Sequence, residues 1–143
     1  MVYKFCSEID ALLGEDKAEE LIDLAAVGII GDMMPLLDYE TLEIIRRGIN
    51  NFKNPFLKEL GKIQGYSISK AGGLNPYSIA FSIVPLINAV VRAGTREEKI
   101  TVFESMLNFK AYQQVHSTKR GAKGRMTTRV EEAGLMSQRA KRR

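Results

Sequence analysis

Three side chains have types and settings that could do chemistry. Asp32 lies in "GIIGDMMPLLD", residues Gly28 to Asp38, as a lone acid inside an otherwise apolar run. It falls in the expected last turn of a helix, where the macrodipole is negative and a carboxylate is disfavoured. A compensating cation, whether a metal ion, an Arg or a Lys, would offset that cost. A satisfied core polar group, or an end-of-helix residue reaching water, would account for it equally. The other two side chains lie in "PLINAVVRAG", residues Pro85 to Gly94, where Asn88 and Arg92 stand four positions apart. On a helix that spacing puts an amide and a guanidinium on one face. The pair suits phosphate oxygens, and it suits tying down a neighbouring loop just as well.

A fourth feature is a block of charge. The 143 residues carry a net charge of +4, but His116 to Arg143 alone carries +7, leaving −3 on the rest. Such a block favours a polyanion, because Lys and Arg that neutralise phosphates release condensed counterions. A solvated, frayed tail would look the same in sequence. Tyr112 is the one aromatic close to the basic residues Lys119, Arg120 and Lys123.

Much other chemistry is excluded. The sequence holds no phosphate loop, dinucleotide glycine fingerprint or nucleophile elbow. One His and one Cys cannot make a zinc-type cluster. His116 reads as an ordinary exposed residue and Cys6 as a small buried hydrophobe. A single cysteine also rules out an internal disulfide, and no signal segment opens the chain. The richest apolar stretch, Leu21 to Leu37, is interrupted by Asp23, Asp32 and Pro35, so no membrane span is expected there. The expected compartment is the cytoplasm, and the length suits one domain.

The elements that must position these residues are helices. Val2, Phe5, Cys6, Ile9, Leu12 and Leu13 fall on one face, and Gly14 is a natural stop. "DKAE" reads as a capping box from Asp16 to Glu19. Behind it, Leu21 to Met34 is apolar almost all round, as a buried helix is, and Pro35 should end it near Met33. Asp38 can cap a helix with the stripe Leu42, Ile45, Ile49 and Phe52. Asn54-Pro55 opens another helix, which Gly65 closes, and "SKAGG" is a loop. Asn75-Pro76 repeats that start and leads towards Val91 through β-branched residues that would also suit a strand. "TREE", Thr95 to Glu98, is a second capping box, before the stripe Ile100, Phe103, Met106 and Leu107. After Tyr112 the composition is that of a loop, with a last helix from about Val130.

In order and separation, the two polar stretches resemble segments of the RecJ-like single-stranded-DNA-specific exonucleases, of the DHH phosphoesterase superfamily. "LIDLAAVGIIGDMMPL" is similar to the family's "LDLVALGTIADVVPL", and "IAFSIVPLINAVVRAG" to its "IAFGIGPRINAAGRLG". The resemblance runs from about Val2 to Leu107, and the first motif is the more specific. Two departures stand in the second motif: Val90-Val91 replace the family's Ala-Gly, and Leu86 replaces an Arg.

The resemblance implies that Asp32 is a metal ligand and that Asn88, Ala89 and Arg92 lie on the nucleic-acid side of the site. It implies a metal-dependent 5′-to-3′ exonuclease of single-stranded DNA, active in repair and recombination, with Mn²⁺ or Mg²⁺ in the complete enzyme. The Asp-His-His triplet of that family is not in this sequence. The expectation is therefore a mainly α fragment of an α/β enzyme, inactive alone and without its own metal. Residues 1–112 would be a helical core resembling the C-terminal part of the DHH domain, and 113–143 a basic loop and the start of a connecting helix. Expected partners are single-stranded DNA, with phosphates held by Asn88, Arg92, Lys119, Arg120 and Lys123, and an N-terminal catalytic region. The apolar helix should otherwise drive self-association. The competing expectation is a non-catalytic helical module that binds nucleic acid or a partner.

Overall fold

The computed structural model describes residues 2–34, 37–50, 52–122 and 124–143. Helices run in chain order as α1 (Val2–Leu13), α2 (Ile22–Gly31), α3 (Tyr39–Asn50), α4 (Pro55–Ile63), α5 (Gly65–Lys70), α6 (Pro76–Ser78), α7 (Val84–Ala93), α8 (Arg96–Ser105), α9 (Asn108–Ala111) and α10 (Arg129–Lys141). Among the described residues the sheet is one antiparallel hairpin, β1 (Gln114–His116) with β2 (Met126–Thr128), in which Val115 faces Thr127. The chain is mainly α.

Local chemistry sets most of the boundaries. Asn54 accepts the Phe56 N–H at 3.0 Å ahead of Pro55, and Asn75 with Ser78 forms a reciprocal cap ahead of Pro76. The Thr95–Glu98 capping box is present, and a further one joins Thr128 to Glu131 at the start of α10. These caps satisfy amides that have no partner inside the helix. The segment that would also suit a strand is helical throughout, with a π turn over Ile79–Ile83 linking α6 to α7. There the Val84 N–H reaches back to the Ile79 carbonyl, directly before Pro85, which has no amide hydrogen to give.

The core forms where α10 packs on α4, α7 and α8. Phe56, Leu57, Leu60, Ile79, Ile83, Leu86 and Ala133 are almost fully buried. Residues 113–143 thus contribute a core helix behind the basic hairpin. On the other side α2 lies tightly on α3, since a Cβ on Gly48 would stand 2.5 Å from Ala26 Cβ and 2.6 Å from the Ile22 carbonyl.

Several expectations are corrected. The N-cap of the 3-10 turn Ala18–Leu21 is Lys17, whose side chain makes no cap; Asp10 accepts the Ala18 N–H, and Glu19 pairs with Arg47 and accepts the Tyr3 hydroxyl. The apolar face of α1 is no core stripe: the helix buries no residue, and Cys6 is only half-buried. On α8 the inward residues are Glu98, Val102 and Ser105, with Ile100 and Phe103 exposed. Helix α2 keeps an open side along Leu24, Ala25 and Gly28. Gly65 begins α5 instead of closing α4 into a loop.

Candidate functional site

Helix α2 ends at Gly31, two residues before the expected stop. Asp32 is its C-cap, and Met33 turns left-handed at φ 52°. The Met34 N–H reaches the Ile29 carbonyl and the Met33 N–H the Ile30 carbonyl, the bond pattern of a Schellman ending. Glycine usually fills the position that Met33 holds, because a Cβ is strained there. The ending projects the exposed Asp32 carboxylate at the negative end of the helix. Among the described residues Asp32 accepts no side-chain hydrogen bond and joins no ion pair.

Asn88 and Arg92 lie on the exposed side of α7. Across the described residues their side chains likewise hydrogen-bond to nothing, and they tie down no described loop. The two helices meet at Gly31, where a Cβ would stand 3.4 Å from Val84 Cγ1. That contact puts Asp32, Asn88 and Arg92 around one cleft of about 350 Å³, backed by Leu24, Val27 and Ile87. A second cleft of about 500 Å³ shares Asn88 and Arg92 but turns to Met33, Phe81, Pro85 and Ala89. Asn88 and Arg92 therefore form a ridge with an acid on one side and an apolar wall on the other. Ala89 lines only the second cleft.

The hairpin stands apart. Lys119 and Arg120 are exposed in its connection and line neither cleft, and Lys123 lies outside the described residues. Three other basic groups of the segment are engaged. Arg129 pairs with Glu104 at 3.3 Å, Arg139 bonds the Thr118 carbonyl, and Arg143 donates twice to Glu98 at 2.9 Å. Burial pushes the Glu98 carboxyl up, but Arg143 and the Thr95 N–H outweigh it and hold it below the usual carboxylate range.

Sequence reasoning overlooked a second acid. Asp23 is fully buried and accepts the N–H groups of Lys53 and Asn54, each at 2.7 Å, and of Leu24 at 2.8 Å. It pins the α3–α4 connection to α2, so Asp23 is the satisfied core polar group that Asp32 is not. Its apolar neighbours in sequence were the available signal. Met33 and Phe81, as walls of the second cleft, were also missed.

One carboxylate does not make a metal centre, because such ions take several oxygen ligands. Among the described residues no three His, Cys, Asp or Glu side chains are grouped to hold an ion. The residues present do not by themselves fit a metal.

Fold and site together define a mainly helical chain that offers an acid, an amide and a guanidinium to one exposed cleft. Comparison with known proteins supplies the family. The chain is 37% identical over 121 residues to a Bacillus subtilis (strain 168) protein provisionally named SPbeta prophage-derived single-strand DNA-specific exonuclease YorK, and to its counterpart in Bacillus phage SPbeta; the match takes in 85% of this chain and 20% of each relative. It is 36% identical over 104 residues to the single-stranded-DNA-specific exonuclease RecJ of Bacillus subtilis (strain 168), covering 71% of this chain and 13% of that one. The chain is RecJ-like, and it spans about a fifth of the length of the first two relatives. No family model and no solved structure matches it.

Proposed function

We propose that this chain is the part of a single-stranded-DNA exonuclease that holds the strand beside the hydrolytic centre. The observation that carries the reading is the convergence of Asp32, Asn88 and Arg92 on one cleft with none of their side chains bonded to another described residue. Asn88 and Arg92 would take phosphate oxygens, and Lys119, Arg120 and Lys123 would follow the backbone farther along. Basic groups spaced along a backbone suit single strands. Asp32 would be one of several ligands for Mn²⁺ or Mg²⁺, the others lying on a catalytic region outside this chain. By itself the chain would bind DNA in the cytoplasm without cutting it.

The direct test is binding of a labelled single strand to the chain at low and at moderate salt. The account expects affinity that falls steeply with salt. No binding, or binding indifferent to salt, would sink it. The uncovered apolar surface of α1 and the open side of α2 would be covered by that catalytic region or by a second copy. Sedimentation should then show mass rising with concentration, and a strict monomer at high concentration would remove the second copy.

The lone carboxylate favours one competing reading, a helical module that binds nucleic acid or a partner with no part in catalysis. Replacement of Asp32 separates the two, since loss of cleavage in the completed enzyme fits only a catalytic role.

A further inference from the structure

The second cleft has a feature that phosphate binding leaves unused. Phe81 and Tyr77 are both 65% exposed, with ring centroids 4.6 Å apart and planes inclined by 43°. They precede Pro85, Asn88 and Arg92 along one helical surface, at steps close to one turn. The π turn over Ile79–Ile83 carries Phe81 itself, and such turns often mark functional positions. Phe81 does not serve the core, whose contribution from this segment is Ile79 and Ile83. Instead it walls a cleft of about 500 Å³ that is apolar along Met33, Phe81, Pro85 and Ala89, and polar at Asn88 and Arg92. Arg92 joins no ion pair among the described residues, so its charge is open to an anion.

A flat apolar group joined to an anion is what such a cleft complements, and a nucleotide of a single strand is that object. We propose that Phe81, backed by Tyr77, is a stacking platform for a base of single-stranded DNA whose phosphate lies on the Asn88–Arg92 ridge. The inference rests on the nucleic-acid reading of that ridge and adds to it a subsite for the base. Stacking on an aromatic face tolerates any base, so the platform would grip the strand without selecting sequence.

The test uses the whole chain and two labelled strands, a short oligothymidylate and the same strand with abasic sugars. The parent should bind oligothymidylate about tenfold more tightly than the abasic strand. Phe81→Leu should lose that tenfold advantage and leave abasic binding unchanged, while Phe81→Trp should keep it. Arg92→Ala should weaken both strands alike. Phe81 is exposed, so these variants should keep the parent's circular dichroism. Equal binding of both strands by the parent, or full affinity in Phe81→Leu, would overturn the platform and leave the phosphate reading standing. Indifference of both strands to Arg92→Ala, with the Phe81 effects intact, would overturn the ridge as the phosphate seat and the pairing of base and phosphate with it. Failure of the parent to bind either strand would overturn both readings.

Discussion

Asp32 and Arg92 line the same cleft from different helices and form no ion pair with each other. Opposite charges that could neutralise one another are each left facing solvent. Arg92 is thereby available to an outside anion. Arg92→Ala should weaken binding of single-stranded DNA severalfold, and the slope of log affinity against log salt should fall by about 1. Titrations at several salt concentrations measure both. An unchanged slope would show that Arg92 contacts no phosphate.

The buried Asp23 predicts a large effect on stability. Asp23→Ala would strand the N–H groups of Lys53 and Asn54 in the interior, at a cost of about 3 kcal/mol or more. Asp23→Asn keeps one acceptor and should lose less. Urea denaturation followed by circular dichroism ranks the two. Alanine at wild-type stability would contradict the structure of the α3–α4 connection.

Met33 predicts the opposite sign. A left-handed methionine at φ 52° costs about 1 kcal/mol relative to glycine, offset in part by the freedom glycine has when unfolded. Met33→Gly should therefore stabilise the chain by about 0.5 kcal/mol. A lower melting temperature would count against the ending drawn for α2. The same change removes a wall of the second cleft, so DNA affinity should drop while stability rises.

The Glu98–Arg143 pair ties the end of α10 to the start of α8 and makes stability depend on acid. The folded state holds the Glu98 carboxyl below its ordinary value of 4.5, so it binds that proton more weakly than the unfolded chain does. The stabilisation is therefore present above about pH 4.5 and fades as pH falls through the folded value. Glu131, held down mainly by the Thr128 N–H, acts in the same direction. Glu98→Gln should cost about 1 kcal/mol at neutral pH, since Arg143 is half-exposed, and should flatten the acid limb. Melting curves from pH 3 to 7 test this; an unchanged limb would refute it.

How far each feature was legible follows from the range of the forces behind it. Caps and prolines act within a few residues, and Asn54, Asn75 and Thr95 all do what their local sequence predicts. The capping box at Asp16 fails because Asp10 of α1 takes the Ala18 N–H, while Glu19, its other half, turns to Arg47 and Tyr3. The α8 stripe fails for a longer-range reason. Ser105 is satisfied locally by the Val102 carbonyl, but buried Glu98 takes its partner from Arg143, 45 residues away. The nearness of Asp32 to Asn88 and Arg92 entered through family resemblance alone. Nothing in the spacing says that Gly31 meets Val84, and the second cleft depends on that contact.

The central claim is that Asp32 is a ligand in a site completed from outside this chain. The decisive measurement replaces the corresponding segment of the phage SPbeta relative with this chain and follows cleavage of 5′-labelled single-stranded DNA in Mn²⁺. The account predicts that the chimera cuts, and that Asp32→Ala abolishes cutting while strand affinity stays nearly unchanged. Undiminished cleavage by the Asp32→Ala chimera would contradict it.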